Sequence, residues 1–273
     1  MHYIRQSLAS DIGRICPAFL ARIVSLSAVL ALALLSIPAH ADTALEFCYD
    51  PYPPYTISIE GVLTGGLKVE LLEAVVDRIE GVEATVILLP WKRCQAEAKS
   101  GRVDGILPLF KNAEREDYLA FTDAAFNEET RFWYNRDRFP RGLTWDASVD
   151  ELSSLKLGML NGGYIDGAMQ KAFDEKQGIL RAKDVHALMQ MLLSDRVDLI
   201  ATDAAVGNFE VQKMGWVDRI ASVEHAITKR TSHFGLSKAS GADQYLADFN
   251  RALAELHESG AVDAIYNRID PRQ

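Results

Sequence analysis

The sequence predicts an α/β fold with two lobes, each built on a parallel, doubly wound sheet. Three observations carry this prediction. Short apolar strand-like segments alternate with helix-like segments, the alternation occurs twice, and glycine or proline residues mark most junctions. Since parallel strands need crossover connections, which are almost always right-handed, each repeat of the alternation forms a sheet with helices on its faces.

The first α/β unit contains three strands and two helices. Its first strand ends in the loop 50–55, which holds three prolines and cannot be helical. Gly81 is the candidate C-cap of the first helix, and Gly101 ends the second. The predicted elements are a strand over 44–49, a helix over 67–80, a strand over 82–89, a helix over 91–100 and a strand over 103–107.

The second unit repeats the alternation. Its predicted elements are a strand over 155–160, helices over 164–176 and 184–193, a strand over 197–201, a short strand over 234–237, and amphipathic helices over 242–258 and 261–269. In open α/β sheets, ligands bind beyond the carboxyl ends of the strands. We therefore expect the residues that follow the strands to line one cleft between the two lobes.

The first 41 residues have the pattern of a secretory signal peptide. Ile23–Ile37 is almost wholly apolar, and Ala39 and Ala41 occupy the −3 and −1 positions of a cleavage site before Asp42. The apolar run is shorter than the ~20 residues that span a bilayer, and an uncleaved anchor is the alternative. We expect cleavage after Ala41 and export of the mature protein, residues 42–273.

Composition and motifs exclude several classes of protein. The chain has 273 residues, of which 48% are hydrophobic and 25% are charged, the usual globular mixture. A formal net charge of −9 argues against nucleic acid as a partner. The sequence contains no nucleophile elbow, phosphate-binding glycine loop or dinucleotide fingerprint, and its histidines are too scattered for a metal site. We therefore expect no cofactor and no metal.

Two cysteines, Cys48 and Cys94, lie outside the predicted leader. In an exported protein they can form a disulfide, and two buried free thiols are the alternative. The sequence alone leaves both possibilities open.

Six stretches resemble, in order and spacing, motifs of one known family. They are Gly65–Leu71, Ser100–Ile106, Glu114–Asp123, Val149–Met159, Val197–Asp203 and Ala252–Tyr266. Each is short, but together they span nearly all of residues 44–269. The chain thus resembles the periplasmic solute-binding proteins of family 3, which serve ABC importers of polar amino acids.

The resemblance implies a periplasmic-binding-protein fold of type II, in which two crossover strands join the lobes. Lobe 1 would comprise residues 42–127 plus 228–273, and lobe 2 residues 128–227. It also implies a monomer that closes about a hinge on a small-molecule ligand, most readily an amino acid. An ABC permease of the inner membrane would then read the closed form.

The resemblance assigns Arg115 to the ligand carboxylate and Asp203 to the ligand ammonium. A planar guanidinium suits a carboxylate because it can form two parallel hydrogen bonds. A solvated surface arginine is the alternative for Arg115, and a helix N-cap is the alternative for Asp203.

Further ligand-binding residues implied by the resemblance are Trp91 and Tyr52, which would enclose the ligand side chain, with Asp50, Gly163 and Tyr164. Core packing is the alternative for the two aromatic residues, and capping of a proline turn is the alternative for Asp50. The segment 108–112 departs from the family pattern because it lacks the usual serines and threonines.

Two other functions fit the same fold. One is an enzyme resembling the periplasmic cyclohexadienyl dehydratases, which need a general acid in the cleft, with Glu128 or Glu129 as candidates. Solvated hinge acids are the simpler explanation of those two residues, and we expect no enzyme. The other is a sensor-type binding protein that signals to a membrane receptor.

Overall fold

The computed structural model describes residues 43–145, 152–161, 163, 165 and 167–268. The predicted signal peptide, residues 1–41, and the predicted ligand-binding residue Tyr164 lie outside these ranges. Within them, every helix is too short or too polar to span a membrane.

The amino-terminal part of the chain alternates strands and helices as predicted. Its elements are β1 (Thr43–Tyr49), β2 (Ile57–Ile59), β3 (Val62–Gly65), α1 (Leu67–Val76), β4 (Val82–Leu88), α2 (Trp91–Ser100), β5 (Gly105–Phe110), α3 (Ala113–Glu116) and β6 (Leu119–Phe121).

Two elements in this part have other bounds than predicted: strand β5 runs two to three residues later than the predicted 103–107, and helix α1 is shorter. Helix α1 ends at Val76 with Asp77 as its C-cap, several residues before the predicted end. The amide of Ile79 donates to the carbonyl of Val76 at 2.9 Å, which is the tighter spacing of a turn. Gly81, with φ of 70°, therefore turns the chain into β4 and does not cap the helix.

The remaining elements include a long strand that the sequence pattern does not reveal. They are β7 (Phe126–Asn135), β8 (Leu157–Leu160), α4 (Gly167–Lys176), β9 (Ile179–Ala182), α5 (Val185–Leu193), β10 (Leu199–Asp203), α6 (Ala204–Lys213), β11 (Ile220–Ser222), β12 (Thr228–Ser237), a 3₁₀ turn (Ala242–Tyr245), α7 (Leu246–Glu258) and α8 (Ala261–Asn267).

Two parallel sheet halves are joined through two long strands. The order of the main path is β4-β1-β5-β12-β7-β10-β8-β9. Strand β1 pairs in parallel with β4 and β5, and β8 pairs in parallel with β10 and β9. Strands β12 and β7 pair antiparallel with each other and connect the halves. These two ten-residue strands are therefore the crossovers between the lobes.

The core of the first half brings together residues from both ends of the chain. Phe47 of β1 is fully buried, and its ring lies 6.1 Å from that of Phe234 in β12 and 6.0 Å from that of Phe249 in α7. Gly105 faces this cluster, and a Cβ atom there would lie 2.3 Å from the Phe47 ring. Strand β5 can pair with β1 at this point because residue 105 has no side chain.

A disulfide joins Cys48 of β1 to Cys94 of α2. Both residues are fully buried. The bridge attaches the helix that begins at Trp91 to the central strand of the first half, so it helps to hold that helix start beside the end of β1.

Candidate ligand-binding site

A cavity of about 490 Å³ lies where strands of both sheet halves end. Its described lining residues are Tyr49, Tyr52, Lys68, Trp91, Leu109, Phe110, Arg115, Glu128, Thr130, Met159, Leu160, Gly163, Ile165, Ala201, Thr202, Asp203, Thr228 and Arg230. The structure thus brings together the predicted residues Tyr52, Trp91, Arg115, Gly163 and Asp203. Asp50 is not among the lining residues.

Arg115 presents a guanidinium that has no acidic partner among the residues the structure describes. Its backbone N–H donates to the Asn112 side chain at 2.9 Å, which fixes the start of α3. Its Nη1 donates to the carbonyl of Phe110 at 2.6 Å, and the guanidinium lies over the Trp91 ring at 5.3 Å. The Nε atom is buried and has no hydrogen-bond partner in the described chain. One edge of this cation therefore remains for an anion.

Asp203 ends β10 and is the N-cap of α6. Its Oδ1 accepts from the Val206 N–H at 3.1 Å and from the Tyr55 hydroxyl at 2.9 Å. Burial, aided by the nearby charge of Glu128, raises the pKa of Asp203 to about 7. The capping role weighed for Asp203 is thus present, and no described residue donates to its second oxygen.

Lys68 is a buried cation that the sequence analysis did not recognise as part of the site. It is 2% exposed, and its Nζ lies 3.1 Å from Oε1 of Glu128 and donates to the Tyr49 hydroxyl at 3.0 Å. Nζ also lies 4.3 Å from the centre of the Tyr55 ring. Burial is the largest single influence and would lower the pKa of Lys68, but Glu128 and Tyr49 together outweigh burial, and the pKa is raised.

The loop that follows β1 carries Tyr52 and Tyr55 against the start of α1. The carbonyls of Pro54 and Tyr55 accept from the first amides of α1 at 3.0 and 3.1 Å. Gly66, with φ of 131°, permits this approach, since a Cβ there would lie 2.4 Å from the Tyr55 carbonyl oxygen. The rings of Tyr52 and Tyr55 stack with centroids 5.8 Å apart. The loop geometry therefore sets one aromatic wall of the cavity.

The other aromatic wall is formed by Trp91, the first residue of α2. Its ring lies 5.5 Å from that of Tyr49.

The opposite sheet half contributes polar groups to the cavity. The carbonyl of Gly163 accepts a hydrogen bond from Arg181 at 2.7 Å. Thr202 lines the cavity with a buried hydroxyl that has no partner among the described residues. The cavity thus combines aromatic surfaces with unsatisfied polar groups, as small-molecule sites do.

Asp50 lies beside the loop and not in the cavity wall. Its backbone carbonyl accepts from the Thr56 hydroxyl at 2.5 Å. Burial raises the pKa of the Asp50 carboxyl.

Within the described ranges, no group of His, Cys, Asp and Glu side chains is placed to hold a metal ion.

Arg230 is a second guanidinium that the sequence analysis did not single out. It projects from β12 and lies over the Phe110 ring at 3.9 Å. It makes no salt bridge with a described residue. In the sequence, Lys229 and Arg230 are an ordinary pair of exposed basic residues. Arg230 reaches the cavity only because β12 pairs with β5 and β7.

Two doubly wound halves, two crossover strands and a polar cavity at the strand ends define a two-lobed small-molecule-binding protein. The model of the bacterial extracellular solute-binding proteins, family 3, matches residues 45–269, and the chain belongs to this family. The predicted family and fold class are thereby confirmed. No curated protein sequence matches the chain.

Solved structures support the same fold. An ancestral cationic amino acid solute-binding protein, AncCDT-1, has a TM-score of 0.69 at 17% identity and covers 84% of this chain and 96% of its own. A second structure describes AncCDT-1 as a precursor of cyclohexadienyl dehydratase. The arginine-, lysine-, histidine-binding protein ArtJ from Geobacillus stearothermophilus has a TM-score of 0.62 at 20% identity, covering 85% and 96%.

A histidine kinase sensor domain with similarity to periplasmic binding proteins is also similar. Its TM-score is 0.62 at 19% identity, and the match covers 85% of this chain and 97% of the sensor domain. At these identities, the likeness concerns the fold alone.

Proposed function

We propose that this protein captures a small polar metabolite, an amino acid in the first instance, in the periplasm and delivers it to an ABC permease. The observation that carries the proposal is the cavity between the sheet halves. There the Arg115 guanidinium meets no acidic side chain of the described ranges, and Asp203 lies on the opposite half. An anion and a cation on one small molecule would complete both sites.

The chemistry of the lining fits an amino acid. The free edge of Arg115 would take the α-carboxylate in two parallel hydrogen bonds. The second oxygen of Asp203 would take the ammonium group. Beside it, Thr202 offers a hydroxyl that has no hydrogen-bond partner in the described part of the chain. Buried charges are costly unless they are paired, so a ligand that pairs them is favoured over water.

Closure about a hinge follows from where these groups stand. We assign residues 42–127 plus 228–273 to lobe 1 and residues 128–227 to lobe 2, joined by β7 and β12. Arg115 then belongs to lobe 1 and Asp203 to lobe 2. A ligand bound to both stabilises the closed form over the open one by its extra contacts, and a permease that recognises the closed form receives the loaded protein.

The cellular setting of the proposal rests on the leader. A signal peptide cut after Ala41 would deliver residues 42–273 to the periplasm as a monomer, without cofactor. An inner-membrane permease is the partner that such carriers serve.

A thermal-shift screen of the purified protein tests the proposal. The panel contains the common amino acids, small organic acids and amines. A ligand present at 100 times its dissociation constant adds about 2.7 kcal/mol to stability, which raises the melting temperature measurably. Failure of every amino acid to raise it would overturn the amino-acid assignment.

One observation favours a second candidate, an enzyme of the dehydratase type. Asp203 has a raised pKa of about 7, so its protonated and its charged forms are both present near neutral pH, and the protonated form could donate to a leaving group. Incubation with prephenate or arogenate distinguishes the two functions, because only an enzyme gives an aromatic product.

A sensor role differs from the carrier role in the membrane partner, which a pull-down against receptor and permease would identify.

A further inference from the structure

We infer that the ligand carries two acidic groups, one bound by Arg115 and the other by Arg230. This inference rests on the proposed function and narrows it to a class of substrate: acidic amino acids or the corresponding dicarboxylic acids.

The cavity lining holds more positive than negative side chains. Its charged lining residues are Lys68, Arg115, Glu128, Asp203 and Arg230. Glu128 is committed to Lys68, whose Nζ lies at 3.1 Å, and Asp203 already accepts two hydrogen bonds through Oδ1. Neither guanidinium has a carboxylate partner among the described residues. The lining therefore has an excess of positive charge, which a ligand of net negative charge neutralises.

Phe110 brings the two guanidiniums to the same end of the cavity. Its carbonyl accepts from Nη1 of Arg115 at 2.6 Å, and its ring lies under the guanidinium of Arg230 at 3.9 Å. A guanidinium that stacks on a ring keeps the donors at its edge available for a carboxylate. The two cations are thus held by one residue, and each can still bind an acid.

Glu128 does not neutralise Arg230, although the two residues face each other across the strand pair. They are partners in the antiparallel register of β7 and β12. The side chain of Glu128 turns instead to Lys68 and makes no salt bridge with Arg230. A ligand with a cationic side chain would meet two guanidiniums that no described carboxylate neutralises, so arginine and lysine are disfavoured.

Isothermal titration calorimetry with acid–amide pairs tests the inference. The pairs are glutamate with glutamine, aspartate with asparagine, and succinate with succinamate. Within each pair only one charge differs, so the ratio of dissociation constants reports the second acidic group. At least one acid should bind about tenfold or more tightly than its amide, the usual effect of a charge-assisted hydrogen bond. Glutamate against glutarate then shows whether the ammonium group is needed.

Two variants test whether Arg230 causes the preference for an acid over its amide. Arg230→Gln should reduce the acid–amide ratio to near one, chiefly by weakening the binding of the acid. Lys229→Gln is the matched control: it removes one positive charge from the neighbouring position on β12, where Lys229 pairs with Glu129 at 2.8 Å outside the cavity. The control should keep the full ratio.

The outcomes separate this inference from the proposed function. Binding of amides or other zwitterions as tightly as acids overturns the inference and leaves amino-acid capture intact. An acid preference that survives Arg230→Gln also overturns it, since Arg230 would then play no part. Absence of binding by every member of the wider amino-acid and acid panel overturns both.

Discussion

The hydroxyl of Tyr55 donates to Oδ1 of Asp203 across 2.9 Å and so connects two residues that are far apart in the chain. Tyr55 belongs to the loop after β1, and Asp203 is the last residue of β10 in the other sheet half. The bond therefore joins the walls of the cavity, and it also stabilises the charged form of Asp203 against the effect of burial.

Removal of the Tyr55 hydroxyl should weaken the contact between the two walls of the cavity. Tyr55→Phe keeps the buried ring but removes a hydrogen bond to a carboxylate, so the free energy of unfolding should fall by about 1–3 kcal/mol. Urea denaturation measures the change. Tyr245→Phe is the control, since the Tyr245 hydroxyl has no hydrogen bond to a described residue. Equal stability of the two variants would show that the Tyr55 bond contributes nothing.

Asp203 should make stability depend on pH. Its pKa in the folded protein is about 7, well above the ordinary carboxyl value, so the folded state binds this proton more tightly than the unfolded state does. The free energy of unfolding should therefore fall as pH rises from about 4 to about 7, by at most ~1.4 kcal/mol per pH unit.

Asp203→Asn isolates this contribution. The amide oxygen can still accept from Tyr55 and Val206, but it does not titrate. Denaturation at several pH values from 4 to 8 should give a difference between wild type and variant that changes through this window. A constant difference would mean that the pKa of Asp203 is not raised.

Lys68→Met should be strongly destabilising. The substitution leaves the Glu128 carboxylate buried without its cation, which typically costs about 3–5 kcal/mol. The double variant Lys68→Met/Glu128→Gln should recover part of this loss, because no charge is then left unpaired. Urea denaturation of Lys68→Met, Glu128→Gln and the double variant gives the coupling free energy between the two side chains. If the losses of the single variants simply add up in the double variant, the ion pair does not contribute to stability.

Arg115→Ala should weaken ligand binding far more than folding. Loss of the cation that pairs with a buried ligand carboxylate should reduce affinity by about 3–5 kcal/mol. Calorimetry with the best ligand of the screen measures this, and Arg102→Ala, an exposed arginine that pairs with Glu97, serves as control. An affinity within a factor of two of wild type would exclude Arg115 as the carboxylate site.

Loss of the Cys48–Cys94 bridge should destabilise the protein. The bridge closes a loop with a sequence separation of 46, and loss of such a constraint typically costs about 2–4 kcal/mol. Reductant, or Cys48→Ala/Cys94→Ala, should lower the melting temperature accordingly. A thiol assay of denatured, unreduced protein that begins at Asp42 should find no free thiol, and two free thiols would disprove the bridge.

The fold was largely predictable because local patterns mark most elements. Strand β1 and helix α2 match their predicted bounds to within a residue, since apolar runs and glycine or proline junctions define them. Strand β7 was missed because its sequence mixes Glu128, Glu129 and Arg131 with aromatic residues. The partly buried strand tolerates these charges because each is paired. Lys68 neutralises Glu128, while Arg131 and Lys229 neutralise Glu129.

The site was predictable only in part. Five of the seven proposed ligand contacts line the cavity, where family motifs and strand ends place them. Lys68 and Arg230 could not be found in the same way. Lys68 lies within an apolar helical run, and its partner Glu128 is far along the sequence. Arg230 enters the site through strand register, which depends on the whole sheet.

The two crossings of the chain have a consequence for biosynthesis. Phe47 is made early, but Phe234 and Phe249, which enclose it, lie in β12 and α7 and are made after every strand of the second half. The stretch that supplies β8, β9 and β10 emerges from the ribosome as one uninterrupted piece, whereas the amino-terminal core stays unfinished until β12 and α7 have been synthesised. A nascent polypeptide cannot complete this core earlier, and a truncation ahead of Phe249 would remove one of the two rings that enclose Phe47.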